Sequence, residues 1–272
     1  MKLRLLLLLP LPLLAAQLDP WFGPFLQPEL RAAYEGQYYS KVTSTSPKAC
    51  RCLNCANDLH TAWASLAITP WPYFNTEIEG AITYVAQSDK TFFDYGMWTA
   101  RYKVCDDISG DPLSLTTGFS LAVPSHSSLR EVGTPWLGHA QIEFHAAIGK
   151  ELAQCCADWD LRVWSFGGVA FSRFNWPRLR LMAFVERQIR RHRFKLGLRG
   201  LIGLGGKPLL DKCCFDGYAP IQTRAVEAEA GYHYTLPCTG TLFVDYRFRF
   251  LARNYPASAS IVRLGILYPL YF

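Results

Sequence analysis

The chain has 272 residues, enough for one large domain or two small ones, and a formal charge of +6. Hydrophobic residues make up 50% and charged residues 18%, too polar for a helical membrane protein. The charge is too mild to argue for a nucleic-acid partner.

The first residues, MKLRLLLLLPLPLLAAQ, place Lys2 and Arg4 before an apolar run and end in Ala15 and Ala16. This reads as a secretory signal peptide over 1–16, since the apolar run is too short to span a bilayer. Removing it lowers the net charge to about +4. An N-terminal segment over 17–28, rich in turn formers and aromatics, is expected in the periplasm. The nine cysteines of an exported chain point to disulfides, and their odd number leaves at least one for a partner molecule.

From residue 29 onward short alternating runs follow one another, separated by Pro, Gly, Asp, Ser or Cys. About twelve strands are predicted, over 29–42, 59–70, 74–87, 92–105, 112–124, 138–151, 159–173, 177–190, 192–205, 223–236, 239–252 and 260–272. In the fourth, Trp98, Ala100, Tyr102 and Val104 alternate with Thr99, Arg101 and Lys103. In the eleventh, Leu242, Val244, Tyr246, Phe248 and Phe250 alternate with Asp245, Arg247 and Arg249. The second and seventh alternate poorly. The run from Gln141 to Cys156 also contains good helix formers, but Ile142, Phe144, Ala146 and Ile148 keep a two-residue period.

A soluble β-sandwich alternates too. Here the strands are long, their apolar faces carry Tyr, Phe and Trp, and the first, fifth and ninth connections are long while others are very short. That combination fits a single transmembrane, antiparallel, up-and-down β-barrel over 29–272, in an all-β chain. Lipid offers no partner for a backbone N–H or C=O, so the sheet has to close.

The last stretch, VRLGILYPLYF, resembles the closing strand of outer-membrane barrel proteins. That resemblance implies that Phe272 is read by the barrel-assembly machinery and that the last strand pairs with the first. Pro269 lacks a ladder donor and belongs near a rim. The stretches LRAAYEGQYYSKV, TPWPYFNTEIE and SGDPLSLTTG, with the cysteines, are similar to cysteine-rich, porin-like outer-membrane barrels of the Chlamydiae type. The likeness implies an outer-membrane location and partners among outer-membrane lipid and disulfide-linked envelope proteins.

The lumen-lining charges predicted from the alternation are Arg101, Lys103, Lys195, Arg199, Arg247, Arg249 and Arg263, opposed by Glu77, Glu79, Glu143, Glu227, Glu229 and Asp245. They suggest a narrow channel for small, including anionic, solutes. Paired across strands, the same charges would plug the barrel and leave a structural or adhesive, disulfide-linked envelope protein. His145 and His233 are expected to face inward. Arg substituted at the outward Leu198 or Tyr246 is expected to block assembly, and at the inward Gly231 to be milder.

Disulfide candidates are Cys50, Cys52, Cys55, Cys213 and Cys214 on the long-loop side, and Cys105, Cys155, Cys156 and Cys238 on the short-turn side. Adjacent cysteines do not readily bond to each other and suit two different partners. The spacing CRCLNC lacks the second half of a zinc site, so no metal and no cofactor is expected. A remote alternative is an outer-membrane phospholipase built on His126 and Ser128. It lacks a group to orient the imidazole, and no catalytic residues are expected.

Overall fold

The computed structural model describes residues 18–42, 57–153, 159–173, 176–210, 215–237 and 240–271. Twelve of its strands form one closed sheet. In chain order they are β1 (Glu29–Tyr39), β2 (Asn57–Trp71), β3 (Phe74–Val85), β4 (Lys90–Cys105), β5 (Ser114–Pro124) and β6 (Gln141–Ala153). The rest are β7 (Trp159–Ser172), β8 (Arg178–Ile189), β9 (His192–Leu204), β10 (Gln222–Thr235), β11 (Thr241–Arg253) and β12 (Ala259–Pro269).

Each strand pairs antiparallel with its neighbour in sequence, and β12 returns to β1. The closing seam runs from Glu29 opposite Pro269 to Tyr38 opposite Ser260. Pro269 therefore occupies the last pair at the rim, where its missing N–H costs least. The run after Gln141 is strand, not helix.

The burial pattern is inverted relative to a soluble protein. Leu196, Leu198, Phe144, Phe250 and Tyr102 are exposed, whereas Arg101, Glu77, Glu229, Arg249 and Thr99 are buried. A soluble domain seldom buries so many charges. The outer surface is instead suited to lipid, and the polar residues face the barrel interior. No described helix is long and apolar enough to cross a membrane.

The odd-numbered connections share one rim, which carries the long loops 125–140 and 205–221. The even-numbered connections share the other and include the two-residue turns at 72–73 and 190–191. Beyond the barrel proper, Lys41–Val42 pairs with Pro256–Ala257 on the long-loop rim.

The second and seventh strands read poorly for a physical reason. The inward residues of β2 include Leu59 and Trp63, and those of β7 include Trp164 and Phe166, all buried. At these positions the lumen face is apolar as well, because other parts of the chain pack on it from inside.

Candidate channel interior

One wall of the lumen is a ladder of paired charge. On β9 to β12 and β1, two-residue periodicity sends Lys195, Arg199, Glu227, Glu229, Asp245, Arg247, Arg249, Arg263 and Glu35 inward. The register sets Glu227 opposite Arg249, Glu229 opposite Arg247, and Arg263 opposite both Asp245 and Glu35. Lys195 Nζ lies 3.0 Å from Glu229, which also accepts from Arg199. Arg249 is 2.6 Å and Arg247 3.6 Å from Glu227. Glu35 binds Arg247 and lies 3.3 Å from Arg263, which sits 3.9 Å from Asp245. His233 is 3.2 Å from Asp245. The acids on β10 thus divide the basic residues of β9 and β11. The wall is not a uniform positive track but a checkerboard in which each charge has an opposite neighbour.

Around the rest of the circumference, Glu77 accepts from Ser65 at 2.5 Å and from Arg31 at 3.4 Å. Tyr95 donates to Glu79 at 2.9 Å, and Arg180 pairs with Glu143. His145 is buried, with its Nδ1 3.9 Å from Glu143. Of the charges expected in the lumen, Arg101, Arg249, Arg263, Glu77, Glu79, Glu143, Glu227, Glu229 and Asp245 are buried, Lys195, Arg199 and Arg247 are half-buried, and Lys103 pairs with Asp106 of the adjacent turn at 2.7 Å. Alternation in the sequence did not single out Glu35, Arg31, Arg180 or Asp94. Glu35 and Arg180 meet partners remote in the chain, Arg31 binds Glu29 two residues away as well as Glu77, and Asp94 sits beside a register shift in the β3–β4 pairing.

The long-loop mouth is stoppered by loop 125–140. Its Leu129 and Trp136 pack on Trp63, Ala81, Tyr95 and Ala122 from inside the barrel. The Trp136 and Tyr95 rings are 4.3 Å apart. Asp94 anchors the loop: it accepts from Trp136 Nε1 at 2.8 Å, from Thr83 Oγ1 at 2.9 Å and from Ser128 Oγ. Gln37 Nε2 donates to the Gly133 carbonyl at 3.1 Å, and Arg178 donates to that of Pro135. Loop 205–221 backs it, with Tyr218 N–H on the Trp136 carbonyl at 2.8 Å and Tyr218 Oη on that of Val132 at 2.6 Å. Gly217 permits this approach. Its φ is +90°, and a Cβ there would sit 2.7 Å from the Leu137 carbonyl oxygen.

The short-turn mouth is narrowed by the N-terminal segment. Trp21 is buried against Ala147, Trp164, Phe166, Met182 and Phe184. Its indole donates to Asp107 at 3.0 Å, and the Arg162 guanidinium lies over its ring. Arg101 donates to the Asp19 carbonyl at 3.0 Å and stacks over Phe22. Gly149 makes room: a Cβ there would lie 2.8 Å from both Pro20 and Trp21. Burial pushes the Asp107 carboxyl up. Hydrogen bonds from Ser114, the Glu151 N–H and Trp21 outweigh that and hold it below the ordinary carboxylate range.

Between the two stoppers lies a cavity of about 380 Å³. Its cations are Arg31, Arg180, Arg193, Lys195, Arg199, Arg247, Arg249 and Arg263. Its carboxylates are Asp19, Glu35, Asp94, Glu186, Glu227 and Asp245, and Glu77, Glu143 and Glu229 stand directly beside Arg31, Arg180, Lys195 and Arg199, so the lining charges are balanced by near neighbours.

A Cβ on Gly231 would lie 2.3 Å from Asp245 Oδ1, the far end of a side chain, so Arg at this inward position requires Asp245 to move aside. The His126–Ser128 pair does not assemble: Ser128 is buried and bound to Asp94, while the His126 ring stacks on His139. Of the cysteines, Cys105 ends β4 and is half-buried. Cys50, Cys52, Cys55, Cys155, Cys156, Cys213, Cys214 and Cys238, like the signal peptide and Phe272, lie outside the described residues.

No protein-family model matches the sequence, and no curated protein matches it either. Solved structures do resemble the fold. The KdgM porin in complex with disordered oligogalacturonate aligns with a TM-score of 0.52 at 12% identity, covering 89% of this chain and 99% of that one. An outer-membrane channel from Pseudomonas putida F1 aligns at 0.56 and 10% identity, covering 93% and 98%. The NanC porin aligns at 0.55 and 8% identity, covering 89% and 100%. The chain therefore has the fold of porin-like outer-membrane barrels.

Proposed function

We propose that the protein is a narrow outer-membrane channel for small solutes, anions among them. The observation that carries this is the charged cavity of about 380 Å³, within the range of small-ligand sites. Its lining guanidinium and ammonium groups offer hydrogen-bond donors to an anion. Each cation also has a carboxylate beside it that competes with a passing solute, so binding stays weak enough to allow exit. The porin and channel structures of like fold support the reading.

The long-loop rim faces outward, the short turns and N-terminal segment face the periplasm, and the leader over 1–16 is removed on export. Lipid contacts the apolar girdle, and the assembly machinery reads the last strand. The cysteines, as in the Chlamydiae-type barrels the sequence resembles, link the barrel to envelope partners. A second reading, a disulfide-linked structural protein, draws on the stoppers at both mouths. We assign no catalysis.

Conductance of the refolded protein in a planar bilayer under a salt gradient decides between them. Small steady channels whose reversal potential shows anion preference are expected. A folded, inserted but silent barrel overturns the channel and leaves the structural reading.

A further inference from the structure

The outer face of the long-loop stopper carries a constellation that the channel does not use. His126 begins the single helical turn His126–Leu129 of loop 125–140, and His139 lies at the far end of the same loop. Asp216 belongs to loop 205–221. One imidazole nitrogen from each histidine and one carboxylate oxygen of Asp216 all lie within 4.8 Å of one another, and all three residues are exposed. The two rings are stacked, with centroids 5.8 Å apart and planes within 9°. Neither imidazole is hydrogen-bonded to another described residue.

We propose that His126, His139 and Asp216 hold a divalent transition-metal ion of the zinc class, stapling the two loops together. Two imidazoles and one carboxylate are a donor set for such an ion and not for Ca²⁺ or Mg²⁺, which take oxygen ligands. Ligand bonds of about 2.0–2.2 Å require donor atoms roughly 3.3 Å apart, so the side chains close by about 1.5 Å. Exposed side chains do this by rotation. Their backbones are already held. The hydrogen bonds from Tyr218 N–H to Trp136 and from Ala219 N–H to Leu137, at 2.8 and 3.1 Å, tie the loops together a few residues from the ligands. The ion would lock the stopper from outside, opposite the Asp94 anchor.

The test is titration of the refolded full-length barrel with Co²⁺, followed by displacement with Zn²⁺. One Co²⁺ per barrel is expected, with d–d bands of a nitrogen and oxygen site and no thiolate charge-transfer band. His126→Ala and His139→Ala should each weaken binding at least tenfold, and Asp216→Asn less. His60→Ala, on the lipid-facing surface, should leave it unchanged. Equal affinity in the wild type and the His126→Ala/His139→Ala double variant overturns the site. A thiolate band does so too, because it assigns the metal to cysteines. Folding of each variant is checked by heat-modified gel mobility. The readout is binding, not current, so a silent barrel that takes up Co²⁺ removes the channel and keeps this site.

Discussion

The two halves of the lumen solve the same problem differently. Along β9 to β12 and β1 the inner face is charged, self-paired and lines the cavity. Along β2 to β8 polar residues such as Glu77, Glu79, Arg101 and Glu143 are interspersed with apolar ones such as Trp63, Ala81, Trp164 and Phe166, and the apolar patches are covered, by Trp21 at one mouth and by Leu129 and Trp136 at the other. A charged wall satisfies its own partners and can stay wet. An apolar inner wall in contact with water would lose the hydrophobic contribution, so it is covered by chain. The difference teaches that the bore is set less by strand number than by which wall recruits a stopper.

The largest effect tests the shared outer surface. Leu198→Arg puts a charge at the middle of β9, on the lipid face, at about 2–4 kcal/mol. It should abolish assembly into the outer membrane, measured by heat-modified mobility of membrane fractions. Thr241→Arg, whose site lines the cavity, should assemble. Equal behaviour of the two would invalidate the register.

Next comes the covered wall. Gly149→Leu drives a side chain into Pro20 and Trp21 and should expel the N-terminal segment. Single-channel conductance is expected to rise severalfold with the barrel intact. Trp21→Ala should give a smaller rise, and an unchanged current in both removes the N-terminal segment from the gate.

The charged wall responds through selectivity. Arg247→Gln leaves Glu35 and Glu227 each short of a cation. The reversal potential should move toward cation preference, and the melting temperature should fall by a few degrees. Adding Glu35→Gln should restore part of the stability, because Glu35 without Arg247 keeps only the 3.3 Å contact to Arg263 and is the under-paired carboxylate.

The smallest effect is in pH. The folded protein holds the Asp107 carboxyl below its unfolded value, so its stabilising effect is complete above the ordinary carboxylate range of about 4. That effect is lost as pH falls through the depressed value. Current through the wild type should rise in that acidic window as the acceptor of Trp21 loses its charge and the hydrogen bond weakens. In Asp107→Asn that step should be absent. A step of the same size in Asp107→Asn assigns it to another group.

The strands were legible from alternation because each one separates lipid from lumen. Leu196 and Leu198 against Lys195 and Arg199 is readable in a single line of sequence. Where the lumen side is itself apolar, as at Trp63 or Trp164, the period-two contrast vanishes and with it the assignment of faces. The charged candidates were legible as inward residues but not as pairs. Arg263 lies far from Glu35 in the chain, and only closure of the barrel sets them side by side. His126, His139 and Asp216 carried no spacing signal, since two loops bring them together.

By itself the sequence determined the barrel, its strand count and its lipid face, because each depends on local alternation against a fixed apolar solvent. Tertiary structure alone decided what fills the barrel. The stoppers, the charge ladder and the remaining cavity depend on contacts between residues remote in the chain, and no local pattern encodes which segments fold inward.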